Sequence, residues 1–222
     1  MSEDRPRRRD AVIFDLDGTL LDTIEDIAAA MNRVLAPRGL GTYSVEIYKS
    51  LVGDGVEELV RRAFRSRTLG DEEIAGIVRD YRREYELAWR DHSRPYPEVP
   101  ALLEALAARG VRTAVLSNKS RVFTEVMTRE LLPGFRFDAV RGAFPGVPLK
   151  PDPAAALAIS AGLGVSPSKC IFLGDTNVDI MTARAAGMFA AGALWGFRTA
   201  SELAESGADA LVASPLGLLA LL

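Results

Sequence analysis

The stretch Ala11-Val12-Ile13-Phe14-Asp15-Leu16-Asp17-Gly18-Thr19-Leu20 decides how this chain is read. Its first four residues are apolar and rich in β-branching, the pattern of a short buried strand. The run stops at two carboxylates two residues apart, and Gly18 then allows a sharp turn. Side chains at i and i+2 share one face of a strand, so Asp15 and Asp17 point the same way if the strand persists. Paired carboxylates at a strand end are costly unless a proton or a cation lies between them. A hard divalent ion such as Mg²⁺ suits such a pair, because it takes oxygen ligands and tolerates one or two carboxylates plus phosphate oxygens. Asp and Gly are also ordinary turn residues, and Asp-x-Asp alone would favour a solvated turn. The rest of the chain has to decide.

Downstream of the stretch the periodicity becomes helical. Asp22 and Glu25 have the spacing of an N-terminal cap, and Ile24, Ile27, Ala28, Met31, Val34 and Leu35 recur at helical intervals up to Pro37 and Gly39. A short helix is expected over 45–51, a break at Gly53-Asp54-Gly55, and a helix capped by Asp54 and Glu57. A long helix is expected over 71–91, with Ile74, Ile77, Val78, Tyr81, Tyr85 and Ala88 on one face. The lone histidine, His92, continues that stripe and reads as a structural residue at the helix end. Residues 23–92 thus form an all-helical insert, with the core made of residues 1–22 and 93–222. The arginines Arg61, Arg62, Arg65, Arg67, Arg79, Arg82 and Arg83 lie on the insert; most read as solvated, with one free to reach an anionic substrate.

Pro95, Pro97 and Pro100 stiffen the return, after which strand and helix alternate. Strands are expected over 112–116, 137–140, 169–173, 190–194 and 210–212. Helices are expected over 100–109, through Val122 to Leu131, from Asp152-Pro153 to Gly162, and over 177–186. Such alternation predicts an α/β core, a Rossmann-like parallel sheet with helices on both faces. Sheets of this kind bind ligands outside the carboxyl ends of their strands. Asp15 and Asp17, Ser117 and Asn118, and Asp175 all fall at such ends.

Bulk properties narrow the function. The 222 residues suit one large domain or a core with an insert, and a net charge of −3 gives no general attraction to nucleic acid or anionic membranes. The single cysteine, Cys170, opens an apolar run and reads as core; it excludes an internal disulfide framework and fits a reducing cytoplasm. No apolar run reaches the ~18 residues of a membrane helix. The basic segment Arg5-Pro6-Arg7-Arg8-Arg9 reads as a solvated tail rather than a nucleic-acid arm.

Asp15-Leu16-Asp17-Gly18-Thr19-Leu20-Leu21-Asp22 resembles the first motif of the haloacid dehalogenase superfamily in its phosphatase form. Three further motifs match in order: Ser117 after Thr113-Ala114-Val115-Leu116, Lys150 in Lys150-Pro151-Asp152-Pro153, and Gly174-Asp175-Thr176-Asn177-Val178-Asp179. The resemblance implies that Asp15 attacks phosphorus and that Asp17 is the general acid and then the base. It implies that Ser117 and Lys150 hold the phosphoryl group, and that Mg²⁺ sits on Asp15, Asp175 and the backbone carbonyl of Asp17, with Asp179 in support. Taken singly, Ser117 also reads as a capping residue, Lys150 as a solvated one, and Asp179 as a helix N-terminal acid.

The insert resembles the family's C1-type helical cap. Val52-Gly53-Asp54-Gly55, Ser117-Asn118-Lys119 and Tyr96-Pro97-Glu98-Val99 are similar to segments of the phosphoglycolate phosphatases, which often carry Asn where this chain has Asp54. Gly53, Asp54, Gly55 and Asn118 are accordingly expected to reach the substrate, with Asp54 either contacting it or capping its own helix. The expected activity is hydrolysis of a small phosphorylated metabolite. A phosphomutase and a non-enzymatic phospholigand-binding module remain as alternatives. A dehalogenase is disfavoured, because a halide leaving group needs no acid such as Asp17.

Overall fold

The computed structural model describes residues 9–65 and 67–222, so of the basic tail only Arg9 is among the described residues. The strands are β1 (Ala11–Phe14), β2 (Leu21–Asp22), β3 (Arg94–Pro95), β4 (Arg112–Ser120), β5 (Ala139–Ala143), β6 (Cys170–Gly174), β7 (Phe189–Ala193) and β8 (Ala210–Val212). The helices are α1 (Ile24–Leu35), α2 (Val45–Leu51), α3 (Val56–Ala63), α4 (Asp71–Ala88), α5 (Val99–Ala108), α6 (Arg121–Leu131), α7 (Ala154–Leu163), α8 (Asn177–Ala185) and α9 (Ala200–Glu205). Six strands form one parallel sheet in the order β5-β4-β1-β6-β7-β8. The chain leaves β1 toward β4 and β5, then returns to β6 on its other side. The crevice at such a reversal is where open parallel sheets place their ligands.

Every residue of β1 is buried, as a strand covered on both faces requires. Val12 and Phe14 join a core cluster with α1, α4 and α5, while Ala11 and Ile13 join a second with α7 and α8. The period of two therefore distributes one strand between two layers. Cys170 is buried in the second cluster, as its apolar neighbours predicted. Arg9 donates to the Ser168 carbonyl at 2.7 Å and lies over the Phe189 ring. No helix is long and apolar enough to cross a membrane among the described residues.

Between β2 and β3 the described residues form α1 to α4 and no strand. β2 and β3 pair antiparallel, Leu21 with Pro95 and Asp22 with Arg94, so both tethers of the insert form one small ribbon. Here the local cap expectations fail. Asp22 faces Arg94 across the ribbon at 3.6 Å, and Thr23 takes the N-cap position of α1. Gly55 is the N-cap of α3, and Asp54 instead pairs with Arg62 at 2.6 Å. Before α7, Pro153 holds the cap position and Asp152 accepts from the Ala154 N–H at 2.8 Å. In the first two cases a long-range or cross-turn cation outcompetes the backbone N–H groups.

The long helix ends at Ala88, short of the expected Asp91, because the chain must turn back toward β3. That turn is held by Asp26, which the sequence reading passed over. Its buried carboxylate accepts from the N–H groups of His92 and Ser93 and from the Ser93 hydroxyl at 2.7–3.1 Å. The His92 Nδ1 lies 3.0 Å from the same carboxylate, so His92 is structural but sits beyond the helix. Removing a buried acceptor strands every donor aimed at it. Asp26→Ala should therefore lower the unfolding free energy by about 3 kcal/mol in urea denaturation. A loss below about 1 kcal/mol would mean that water replaces the carboxylate.

Candidate active site

Four strand ends meet at the centre of the sheet. β1 delivers Asp15, whose N–H donates to the Leu173 carbonyl at 2.9 Å. The chain then turns at Gly18, which has φ +87 and bonds back to the Leu21 carbonyl at 2.8 Å. A β-carbon on Gly18 would lie 2.2 Å from Asp175 Oδ2, so only glycine lets the first loop close over the end of β6. Gly196 is held the same way, with Asp175 Cβ 2.2 Å from its absent β-carbon. Backbone thus encloses Asp175 from two sides.

Asp15, Asp175 and Asp179 are buried together, with one oxygen from each within 4.8 Å of the others. Asp175 accepts from the Thr19 hydroxyl at 2.8 Å and from the Phe197 N–H at 2.9 Å. Asp179 accepts from the N–H and the hydroxyl of Thr176 at 3.0 and 2.7 Å, the acid half of a capping box at the start of α8. Its other oxygen takes the Lys150 ammonium at 2.6 Å. Lys150 also lies 2.8 Å from Asp15 Oδ1, an ion-pair distance, but off the angle of a hydrogen bond. That oxygen of Asp15 is therefore held chiefly by the charge of the ammonium.

The charges explain the titration. Burial lifts the Asp15 pKa to about 7 against the pull of Lys150, with repulsion from Asp179 and Asp17 adding to the rise. Burial, then Asp179 and Asp15, hold Asp175 well above the ordinary carboxylate range, opposed by the Phe197 N–H and Thr19. Burial pushes Lys150 down, yet Asp15 and Asp179 outweigh it and hold the ammonium above its usual range. Three carboxylates with one ammonium leave unbalanced negative charge. With one oxygen from each of the three carboxylates gathered together, the cluster fits a divalent cation.

Asp17 stands apart from this cluster. Its carboxylate accepts from the Thr23 hydroxyl at 2.7 Å and from Lys119 Nζ at 3.1 Å to each oxygen. Ser117 is buried at the bend of β4, its hydroxyl accepting from the Lys119 N–H at 3.2 Å. Asn118 bonds both the N–H and the carbonyl of Lys150, at 2.9 and 3.0 Å, and also the Gly53 carbonyl at 3.0 Å. It fixes the lysine loop and touches the insert. Asp15, Asp17, Ser117, Asn118, Gly53 and Gly55 line one cavity of ≈ 80 Å³ between the sheet ends and the insert.

Asp54 is not in that cavity. Its pairing with Arg62 turns it outward, so it neither lines the space nor caps α3. Of the seven insert arginines singled out in the sequence, Arg82 lines the cavity. The sequence marks Tyr85 only as a buried helix position and gives Thr19, Thr23 and Lys119 no distinguishing signal. Lys119 follows Ser117 and Asn118, but nothing local signals that its side chain reaches Asp17, 102 positions away.

Residues 9–187 match the family model for haloacid dehalogenase-like hydrolases. The chain is 34% identical to the phosphoglycolate phosphatase of Aquifex aeolicus over 186 residues, covering 84% of this chain and 85% of that protein. It is 34% identical to that of Nitrosospira multiformis over 209 residues, covering 92% and 91%. Among crystal structures, a Lactobacillus delbrueckii protein provisionally named a phosphoglycolate phosphatase aligns with a TM-score of 0.89 and 30% identity, covering 96% of this chain and 98% of its own. CbbY from Rhodobacter sphaeroides, solved in complex with phosphate, aligns at 0.81 and 25% identity, covering 96% and 99%. The chain belongs to the haloacid dehalogenase-like hydrolases. It is a hydrolase of their phosphatase type.

The raised Asp15 carboxyl carries a testable sign. Its unfolded value is near 3.8 and its folded value about 7, so ionisation disfavours the fold across that window. In the metal-free protein this cost is absent below pH 4 and grows as pH rises through 7. Asp15→Asn lacks it. Denaturation in EDTA should show the variant gaining on the wild type from pH 4 to pH 8, by on the order of 3 kcal/mol. A gap that stays constant would mean Asp15 titrates as an ordinary carboxyl.

Proposed function

We propose that this protein is a Mg²⁺-dependent phosphomonoester hydrolase, cytoplasmic and phosphoglycolate phosphatase-like, that works through an aspartyl-phosphate on Asp15. The observation that carries the reading is the placement of Asp15, buried beside Asp175, Asp179 and the Lys150 ammonium, while Asp17 faces the same cavity from outside the cluster. A nucleophile needs a free lone pair, and a general acid needs its own separate environment. Asp15, Asp175 and the backbone carbonyl of Asp17 would hold Mg²⁺, with Asp179 in support. The ion supplies charge neutralisation at the phosphoryl oxygens.

In the first half-reaction an Asp15 oxygen attacks phosphorus, and the bond from phosphorus to the ester oxygen breaks. Protonated Asp17 gives its proton to that departing oxygen, and the alcohol leaves. In the second half Asp17, now a carboxylate, takes a proton from water as the water oxygen attacks phosphorus. The Asp15–phosphorus bond breaks and orthophosphate leaves. Lys150 and the Ser117 hydroxyl offset the charge that builds on the phosphoryl oxygens. Asn118 keeps Lys150 in place through its two backbone bonds. The insert covers the reacting centre and excludes water.

Asp15→Asn should abolish turnover of a phosphate-ester panel assayed with Mg²⁺ by phosphate release. Beryllium fluoride should inhibit the wild type by mimicking a phosphoryl group on Asp15. Asp17→Asn should lose about 10²- to 10⁴-fold in rate on alkyl esters and less on 4-nitrophenyl phosphate, whose leaving group needs little protonation. Retained activity in Asp15→Asn well above background would rule out the covalent route. Equal losses across leaving groups, with phosphoenzyme formation followed directly, would remove Asp17 from the acid role.

A further inference from the structure

Tyr81 and Tyr85 lie one turn apart on α4, their rings stacked with centroids 5.6 Å apart. The two phenols end differently. Tyr85 donates its proton to the Met127 sulfur at 3.6 Å and accepts from Lys119 at 2.9 Å. Tyr81 is 7% exposed and lines the cavity, yet its hydroxyl makes no hydrogen bond among the described residues. A buried Tyr hydroxyl usually has a partner, because a desolvated donor without one costs free energy. Nothing nearby in the protein supplies it. Lys119 has its three protons matched, by two contacts to Asp17 and one to Tyr85. Arg82 is exposed, and the side chains of Ile27, Val52, Val56, Leu59 and Phe123, which line the same cavity, are apolar. Burial holds the Tyr81 phenol far above its ordinary titration range, against the pull of Lys119. It is therefore a neutral group, able to donate one hydrogen bond and to accept another.

The alcohol half of a bound ester meets Asp17 from the core, where its ester oxygen is protonated, and Tyr81 from the insert. Lys119 and Asp17 are among the charges that act on the phenol, so Tyr81 lies near the point of that proton transfer. A plain alkyl chain in this space would bury the Tyr81 hydroxyl without a partner as water is excluded. A hydroxyl on the chain satisfies it and is satisfied in return, since each group both donates and accepts. We propose that Tyr81 is a specificity-determining residue whose hydroxyl bonds a second, uncharged hydroxyl on the alcohol half of the substrate. Short hydroxylated phosphate esters are thereby selected over alkyl esters of the same size. The assignment rests on the phosphatase reading above and names the group that reads the alcohol. Tyr81 takes no part in the proton transfers. Because it belongs to the insert, the bond also ties the substrate to the element that covers it.

The test compares 2-hydroxyethyl phosphate with n-propyl phosphate, which has the same charge and chain length and a methyl group in place of the hydroxyl. The wild type, assayed with Mg²⁺ by phosphate release, should favour the first by about 10-fold or more in kcat/KM. Tyr81→Phe should bring that ratio to about one or below. A purely structural role for Tyr81 would lower both rates together and leave the ratio alone. The variant removes a hydroxyl that has no partner in the protein, so its urea midpoint should not fall. A clear fall would show that the hydroxyl is bonded within the protein and would overturn the site. A wild-type ratio at or below one, or a ratio that Tyr81→Phe leaves unmoved, would overturn the hydroxyl site and leave the phosphatase standing. So would hydrolysis of other panel esters but of neither of these two. Hydrolysis of no panel member would overturn both.

Discussion

The Lys150 ammonium, held between Asp15 and Asp179 in a buried cluster, is the contact on which the rest of the site depends. Three carboxylates cannot share a buried volume without a cation, and one lysine balances only part of their charge. The structure spends much of its local architecture on keeping that lysine in position. Asn118 brackets its backbone from β4, and Thr176 fixes Asp179 from the start of α8. The residual negative charge is what makes the cluster receptive to a metal ion. The result is a buried centre in which one ammonium lies between two of three carboxylates.

The parallel sheet makes this arrangement possible. β1 and β6 are neighbours in register, Phe14 beside Leu173, so the residues that follow each strand emerge side by side. Asp15 and Asp175 therefore converge although 160 positions separate them. β4 flanks β1 on its other side and contributes Ser117, Asn118 and Lys119 from its bent end, where its register with β5 shifts. The site is a consequence of strand order, with local turns adding only the close approaches at Gly18 and Gly196.

That origin explains how much could be read from the chain. The strand over Ala11 to Phe14, the helical insert and the acids at strand ends depend on short periodicities that survive in one dimension. Asp15 and Asp175 could be placed at strand ends because they directly follow β1 and β6, and Ser117 because it lies in the bent end of β4, whereas Lys150 lies in the loop before α7. Capping was misread at Asp22 and Asp54, since a capping pattern is local and their partners, Arg94 and Arg62, offer a full charge instead. The helical periodicity marks Tyr85 as buried but not its partner, and Asp26 and Lys119 left no local signal. Each acts through a partner brought near by the insert folding back, and no spacing along the chain encodes that distance.

The same long-range contacts show how the insert meets the core. Asn118 donates to the Gly53 carbonyl, and Arg198 donates to the carbonyls of Lys49, Ser50 and Val52 at the end of α2. The residue before Arg198 gives its N–H to Asp175, so the segment that supports the acidic cluster also grips the insert. Both contacts are made by core side chains to backbone carbonyls, which every residue type supplies. The exposed carbonyls at a helix end also favour a cation such as Arg198. Tyr85 adds side-chain contacts from the insert, to Lys119, Phe123 and Met127. The insert is thus held to the core both through its backbone carbonyls and through Tyr85.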